Sequence, residues 1–241
     1  MDALILAAGL GTRLRPLTDD RPKALVTVGG RTLLEINITK LAGMGVHRIV
    51  VNVHHFADMV RHYLATHPWP CEVLVSDESN LLLDTGGALR KAAPLLTGDE
   101  VLVHNVDVLA DFDLDALAGQ HRRRGSLATL AVSRRNTGRL LLADDDGTLQ
   151  GWHNNSTNET RWVNSPQTGL TAYAFSGITL IARKLLDLLP PANHPYPIVP
   201  EYLRLARTHR IDLFEHDPRQ WLDVGKPETL ARAAQFLERN T

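Results

Sequence analysis

One cysteine, Cys71, occurs in a chain of 241 residues. That count excludes an intramolecular disulfide and a metal site built from thiolates, and leaves Cys71 as a small core residue on a strand. Neither sign of charge is in excess: 26 Lys and Arg stand against 27 Asp and Glu, a formal net charge of −1. A basic face for nucleic acid and an acidic solvating tail are both excluded, so any affinity for an anion has to come from local placement. No apolar run approaches the roughly 18 residues of a membrane span, and Met1-Asp2-Ala3 puts no cationic segment ahead of the short apolar run that follows. The chain is therefore expected to be cytoplasmic, with no membrane or nucleic-acid partner. Internal repeats, low-complexity tracts and obvious linkers are missing too. The 11 histidines, His54 and His55 among them, never take up an H-x-x-x-H spacing with an acid partner and read as structural or surface residues.

What is present is a core. Hydrophobic residues make up 44% of the chain, enough to fill one large domain. Ala3 to Ala8, Arg48 to Val53, Cys71 to Ser76, Val101 to Asn105 and Leu127 to Ser133 read as strands. Between them, Thr32 to Met44, His55 to His67, Gly86 to Leu96 and Asp113 to Arg123 carry helical spacing, and Gly45 fits the stop of the first helix. Strands apolar on both faces that alternate with helices predict an α/β fold, a Rossmann-like three-layer sandwich with a mostly parallel central sheet. Ligands of such sheets bind at the carboxyl ends of the strands. After about residue 134 the pattern changes. Arg139 to Ala143 and Thr148 to Trp152 read as a hairpin turning at Asp144-Asp145-Asp146-Gly147, Asn154 to Gly169 as a polar loop, and Thr171 to Ile181 as a strand. Helices near Arg183 to Leu189 and Pro197 to Thr208, a strand at Ile211 to Glu215 and a helix from Pro227 to Arg239 complete the reading.

Residues 6 to 23, Leu-Ala-Ala-Gly-Leu-Gly-Thr-Arg-Leu-Arg-Pro-Leu-Thr-Asp-Asp-Arg-Pro-Lys, follow the first strand. A glycine-rich turn lets backbone N–H groups approach an anion, and nearby cations neutralise it. The dinucleotide fingerprint would need a third glycine where Leu14 stands, and the Walker A pattern is absent. Two glycines alone are equally a plain turn. The continuation decides: Gly9-x-Gly11-Thr12-Arg13-x-x-Pro16-Leu17-Thr18, followed by Pro22-Lys23, resembles the signature of the sugar-1-phosphate nucleotidylyltransferases, or nucleoside-diphosphate-sugar pyrophosphorylases. The resemblance runs on to Trp221-Leu-Asp-Val-Gly225.

That resemblance implies a fold of the nucleotide-diphospho-sugar transferase type. It also implies transfer of a nucleotidyl group from a nucleoside triphosphate to a sugar 1-phosphate, with release of pyrophosphate. The chain then divides into a nucleotide-binding half, 1–134, and a sugar-binding half, 135–241, of a single domain. Arg13 and Lys23 become the catalytic cations, Arg13 on the triphosphate and Lys23 at the reacting phosphates. Leu6, Ala7, Ala8, Gly9, Gly11 and Thr12 form the cradle around them. Asp107, just past a strand end, and Asp223, expected in a turn before the last helix, match the family's Mg²⁺-binding aspartates, although on spacing alone an Asp after a strand is more often a cap or turn residue. The family usually has Gly where this chain has Val106, a departure that could crowd the nucleotide; Asn105 could compensate as a polar contact.

Asp84-Thr85-Gly86-Gly87, with an acid such as Glu78 upstream, resembles the family's base-reading motif; read locally, Asp84 or Thr85 is equally a helix cap. The Thr-Gly-Gly form is similar to that of the N-acetylmuramate-1-phosphate uridylyltransferases and of the mannose- or heptose-1-phosphate guanylyltransferases. UTP with N-acetylmuramate 1-phosphate or a related hexose 1-phosphate is the favoured pair. GTP with mannose or heptose 1-phosphate, CTP with phosphocholine, and a silent nucleotide-sugar-binding regulator are the alternatives. The Glu-Lys pair that grips the sugar in many relatives is absent from residues 148 to 170. Trp152, Asn154 and Asn155 offer a stacking face and amides instead, or simply a hairpin end. Arg139 reads as a sugar-phosphate contact or a strand-edge charge, Ser176 and Gly177 sit in a segment similar to the family's sugar-site strand, and Lys226 is a phosphate contact or an exposed helix-start lysine. The short C-terminus suggests a stand-alone transferase, a monomer or small homo-oligomer.

Overall fold

The apolar opening of the chain forms strand β1 (Asp2–Leu6) in the computed structural model, which describes residues 1–239. Two short helical turns, Thr12–Leu14 and Lys23–Leu25, shape the glycine-rich segment after it. A minimal hairpin of β2 (Thr27–Val28) and β3 (Arg31–Thr32) then leads into α1 (Leu33–Gly43). The Thr32 hydroxyl starts that helix by accepting the Glu35 N–H at 3.0 Å. Next come β4 (Arg48–Val53), α2 (Ala57–Thr66), β5 (Glu72–Asp77), α3 (Asp84–Ala92) and β6 (Glu100–Asn105). β1 pairs in parallel with both β4 and β6, and β4 with β5.

The second half runs through β7 (Val108–Ala110), α4 (Leu114–Arg124), β8 (Ala128–Ser133), β9 (Arg139–Ala143), β10 (Leu149–Asn154), β11 (Glu159–Trp162) and β12 (Thr171–Ala182). It closes with α5 (Leu185–Leu188), α6 (Ile198–Leu205), β13 (Ile211–Glu215), β14 (Trp221–Asp223) and α7 (Pro227–Arg239). The central sheet is ordered β11-β10-β9-β12-β6-β1-β4-β5, with β8 on β12 and β13 on β8. It is parallel from β6 to β5. Beyond β6, β12 runs antiparallel, as do β9, β10 and β11 against their neighbours. Alternate residues of each strand enter opposite cores. Ala3 and Ile5 pack with α1, α2, α4 and α7, whereas Leu4 packs with α3, α5 and α6. The predicted three-layer α/β sandwich is therefore what forms. No described helix is long and apolar enough to cross a membrane.

Four local expectations change. The polar segment 154–169 contains β11, whose Trp162 and Arg161 pair with Gly151 and Trp152 of β10. Its alternating exposed polar residues hid an edge strand. Asp223 ends a strand rather than lying in a turn, because β14 pairs antiparallel with β7. The third helix begins at Asp84 and ends at Ala92, where a short turn carrying Pro94 takes over. Cys71 lies one residue before β5 and is half-buried rather than in the core.

One core histidine gives the fold a pH response. His104 of β6 is buried, its Nδ1 2.9 Å from the Asn105 carbonyl. Burial pushes its pKa down to about 4 from 6.5, against the smaller opposing pulls of that carbonyl and of Asp107. The unfolded imidazole takes its proton near 6.5 and the folded one resists until about 4, so this stabilisation is complete above pH 6.5 and is lost as pH falls through the interval. Urea unfolding of His104→Gln is expected to show a shallower loss of stability across that window, by up to about 3 kcal/mol in total. Equal slopes for both proteins would assign the acid sensitivity to other groups.

Candidate functional site

At the carboxyl edge of the parallel strands the chain must find partners for backbone groups that have left the sheet. Ala7, one residue past β1, donates its N–H to Asn52 Oδ1 at 2.6 Å. Asn52 Nδ2 in turn donates to Glu78 Oε1 at 2.8 Å, and the Leu83 N–H donates to Glu78 Oε2 at 3.0 Å. Glu78 is fully buried, and burial outweighs these hydrogen bonds, pushing its carboxyl above the usual range. One amide and one carboxyl thus fasten together the ends of β1 and β4 and the entry to α3. A cavity of about 440 Å³ opens beside them, lined by Leu6, Ala8, Gly9, Asn52, Glu78, Asp84, Thr85 and Asn105 among others.

The glycine-rich loop folds back on itself from there. Gly11 sits at φ +65°, and a Cβ there would lie 3.0 Å from Thr18 Cγ2 and 3.3 Å from Lys23 Cβ. The Thr18 hydroxyl donates to the Gly11 carbonyl at 2.9 Å. Gly11 and Thr12 thereby turn into the short helix that carries Arg13. The buried Lys23 donates through Nζ to Asp107 Oδ2, and the Arg13 guanidinium reaches Asp107 at 3.8 Å and Asp223 at 3.9 Å. The β7–β14 ladder brings the two carboxylates together: Asp223 pairs with Val108, and the Val224 N–H donates to the Asp107 carbonyl at 2.8 Å. Asp223 Oδ1 also accepts the Gly225 N–H at 2.7 Å. A Cβ on Gly225 would lie 2.6 Å from Asp223 Oδ1 and 2.7 Å from Arg13 Nη2, so a side chain there would have to push the carboxylate and the guanidinium aside. Two hard carboxylates within reach of one cation suit a divalent ion shared with phosphate oxygens. Val106 does not crowd this place. Its side chain is buried in the core, and its carbonyl accepts Asn37 Nδ2 at 2.9 Å.

A second cavity, of about 460 Å³, shares Leu6, Asp84, Thr85 and Asn105 with the first. Arg139, Trp152, Arg161, Phe175, Gly177 and Tyr202 line much of the rest. Gly177 has φ +73°, and a Cβ there would strike Asn105 Nδ2 at 2.6 Å. Arg135, unread in the sequence, braces this wall. It stacks 3.8 Å from the Trp221 ring centroid and donates to Ser133, Ser176 and the Phe175 carbonyl. Trp221 Nε1 donates to the Ser176 carbonyl at 2.7 Å, so β14 and its Asp223 are tied to the bend of β12.

Several anticipated residues lie elsewhere. The Gly86 and Gly87 N–H groups both point to the Tyr196 carbonyl, at 2.9 and 3.4 Å, and neither residue lines a cavity described above. Asp84 and Thr85, by contrast, do line both cavities; Thr85 also pins α3 to α6 by accepting the Ile198 N–H at 2.9 Å, and Asp84, at φ +57°, accepts the Thr85 N–H at 2.6 Å. Asn154 accepts the Ser156 N–H, and Asn155 donates to the Thr137 carbonyl, both outside the cavities. Ser176 is fully buried against His216 and Arg135, and Lys226 is exposed. Asn52, Arg161, Arg135 and Gly225 were the residues missed. Asn52 alone carried a signal, as the one polar residue in Val50-Val51-Asn52-Val53.

Comparison with known proteins places the chain in a family. A family model described as nucleotidyl transferase matches residues 2–139. The N-acetylmuramate alpha-1-phosphate uridylyltransferase of Caulobacter vibrioides is 45% identical, over 98% of this chain and 97% of that protein. The mannose-1-phosphate guanyltransferase of Neurospora crassa is 29% identical over 95% of this chain, which spans only 62% of that relative. Among solved structures, HddC from Yersinia pseudotuberculosis complexed with GMP-PN has a TM-score of 0.75 at 22% identity, covering 98% of this chain and 99% of that one. The inositol-1-phosphate CTP transferase from T. maritima has a TM-score of 0.76 at 17% identity, with coverage of 99% and 95%. At these identities the two structures speak for the fold.

The glycines of α3 yield a test of packing against ligand contact. A Cβ on Gly86 would lie 2.4 Å from the Tyr196 ring. Gly86→Ala is expected to lose about 1–3 kcal/mol of stability in urea unfolding. A variant as stable as wild type but weakened for nucleoside triphosphate would show that this glycine serves the ligand directly.

Proposed function

The chain belongs to the nucleotidyl transferase family and is an enzyme of that class, and from this premise we propose that it transfers a uridylyl group from UTP to N-acetylmuramate 1-phosphate. The observation that carries the reading is the meeting of Arg13, Lys23, Asp107 and Asp223 beside two cavities that share a wall. The products are the nucleoside-diphosphate sugar and pyrophosphate. One domain performs the reaction, with the triphosphate on the half that carries β1 to β6 and the sugar on the half that carries β9 to β12.

In the proposed reaction an oxygen of the sugar phosphate attacks the α-phosphorus of UTP. The bond from that phosphorus to the β-phosphate bridging oxygen breaks, and the electron pair leaves with pyrophosphate. Two polyanions must approach each other, so catalysis is mainly positioning and charge neutralisation. Arg13 is exposed enough to close over the triphosphate and meet the charge that develops on the leaving group. Lys23, held beneath Gly11, offers its ammonium to the α-phosphate. Asp107 and Asp223 would hold Mg²⁺, which when bound neutralises phosphate oxygens and fixes their orientation. In the absence of phosphates the two aspartates balance Arg13 and Lys23, so the cluster is electrically matched before substrate arrives. Uracil is assigned to the cavity beside Asn52, Glu78 and Asp84, and the sugar to the one lined by Trp152 and Gly177. Guanylyl transfer to mannose 1-phosphate is the second reading, favoured by the Neurospora relative.

Pyrophosphate release from UTP, GTP and CTP, each with N-acetylmuramate 1-phosphate, mannose 1-phosphate, heptose 1-phosphate and phosphocholine, tests the proposal. Mg²⁺-dependent release is expected to be fastest for UTP with N-acetylmuramate 1-phosphate. Silence across the panel would leave a nucleotide-sugar-binding regulator. Asp107→Asn is expected to lower turnover about 100-fold or more with an unchanged circular dichroism spectrum; near wild-type turnover would sink the metal-holding role.

A further inference from the structure

The acceptor cavity carries more positive charge than a phosphate held at the reacting centre can use. β9, β10 and β11 pair so that Arg139 lies opposite Asn154, and Trp152 directly opposite Arg161. Arg161 is thereby a cross-strand neighbour of Trp152, with its guanidinium 5.3 Å from the indole centroid, and Arg139, Trp152 and Arg161 all line the cavity. Arg161 spends only Nε, on Glu159 Oε1 at 2.7 Å, and keeps both terminal nitrogens. Arg139 has no acidic or hydrogen-bonding partner among the described residues. Among the described residues Asp84 is the only carboxylate on the cavity lining, and it belongs to the wall shared with the nucleotide cavity.

We propose that this end of the cavity, Arg139 and Arg161 about Trp152, is a subsite for a carboxylate carried on the acceptor sugar, separate from its 1-phosphate. The assignment rests on the reading of the acceptor as a sugar 1-phosphate. Position separates the two anions. The phosphate must react near Lys23 and Asp107, and Asp107 follows β6, on one side of β12. β11 lies three strands away on the other side, roughly 14 Å from β12 at about 4.8 Å per strand. A sugar bearing only hydroxyl and acetamido groups offers no anion to the two terminal nitrogens of Arg161, whose Nε alone is taken by Glu159. A carboxylate on a ring ether, as in N-acetylmuramate, supplies one, and a planar guanidinium fork matches it in a bidentate manner.

The test compares N-acetylmuramate 1-phosphate with N-acetylglucosamine 1-phosphate, which lacks the acid, using UTP and wild type, Arg161→Gln and Arg139→Gln. Wild type is expected to prefer the acidic sugar at least tenfold in kcat/KM, and Arg161→Gln to bring that ratio toward one, mostly through KM. No preference in wild type, or a ratio unchanged in both variants, overturns the subsite and leaves the nucleotidyl transfer standing. If neither sugar releases pyrophosphate, the proposed reaction fails, and tryptophan-fluorescence titration of free N-acetylmuramic acid against N-acetylglucosamine decides the subsite alone. Tighter binding of the acid that Arg161→Gln abolishes supports it; equal or absent binding overturns it. Arg161 is on an exposed edge strand, so the variants are expected to retain the wild-type circular dichroism spectrum.

Discussion

The N–H of Ala7 leaves the sheet at the end of β1 with no strand to receive it, and the side chain of Asn52 is what receives it. An unpaired buried donor at that position would cost on the order of 1–3 kcal/mol. The amide is itself held by Glu78, and Glu78 is held by the backbone of Leu83. Three segments distant in sequence are therefore set in one geometry before any ligand enters. The start of the glycine-rich loop, the floor of the first cavity and the first turn of α3 all depend on this chain of contacts. A buried carboxyl with a raised pKa is tolerated here because each of its oxygens has a partner.

A second constraint is electrostatic. Arg13 and Lys23 arrive from the loop after β1, Asp107 from the end of β6, and Asp223 from the far end of the chain. What unites the acids is a ladder of three residue pairs, β7 with β14, fastened to β12 through Trp221 and Arg135. Cations alone would repel one another and would also bind solvent anions; balanced by two aspartates they stay in place. Charge in this site is organised by backbone pairing and by one stacked arginine rather than by proximity in the chain.

Much of the fold was legible from apolar runs. The parallel strands and the helices between them declare themselves because β1, β4 and β6 are buried on both faces and mostly apolar, while the edge strand β5 keeps a short apolar run. β11 was not legible, since an exposed edge strand of Glu-Thr-Arg-Trp carries no such run, and Arg161 was lost with it. β14 was too short to show any period. Of the site, the cationic loop residues could be marked by their motif and the two aspartates by the family resemblance, since on spacing alone an Asp after a strand is more often a cap or turn residue. The roles of Gly86, Gly87, Asn154, Asn155 and Ser176 turn on which neighbour each touches, which no local pattern encodes. Asn52 was visible as an oddity, but its partner 26 residues away was not.

Leu6, Asp84, Thr85 and Asn105 form a wall common to both cavities. A molecule filling either space becomes part of the boundary of the other, and Thr85 extends that boundary to α6 through Ile198. Two ligands in contact across such a partition contribute a coupling free energy, and thermodynamic reciprocity requires each to change the other's affinity by the same factor. The order in which they arrive is then a matter of rate and concentration, while the cooperativity between them is fixed by the partition itself.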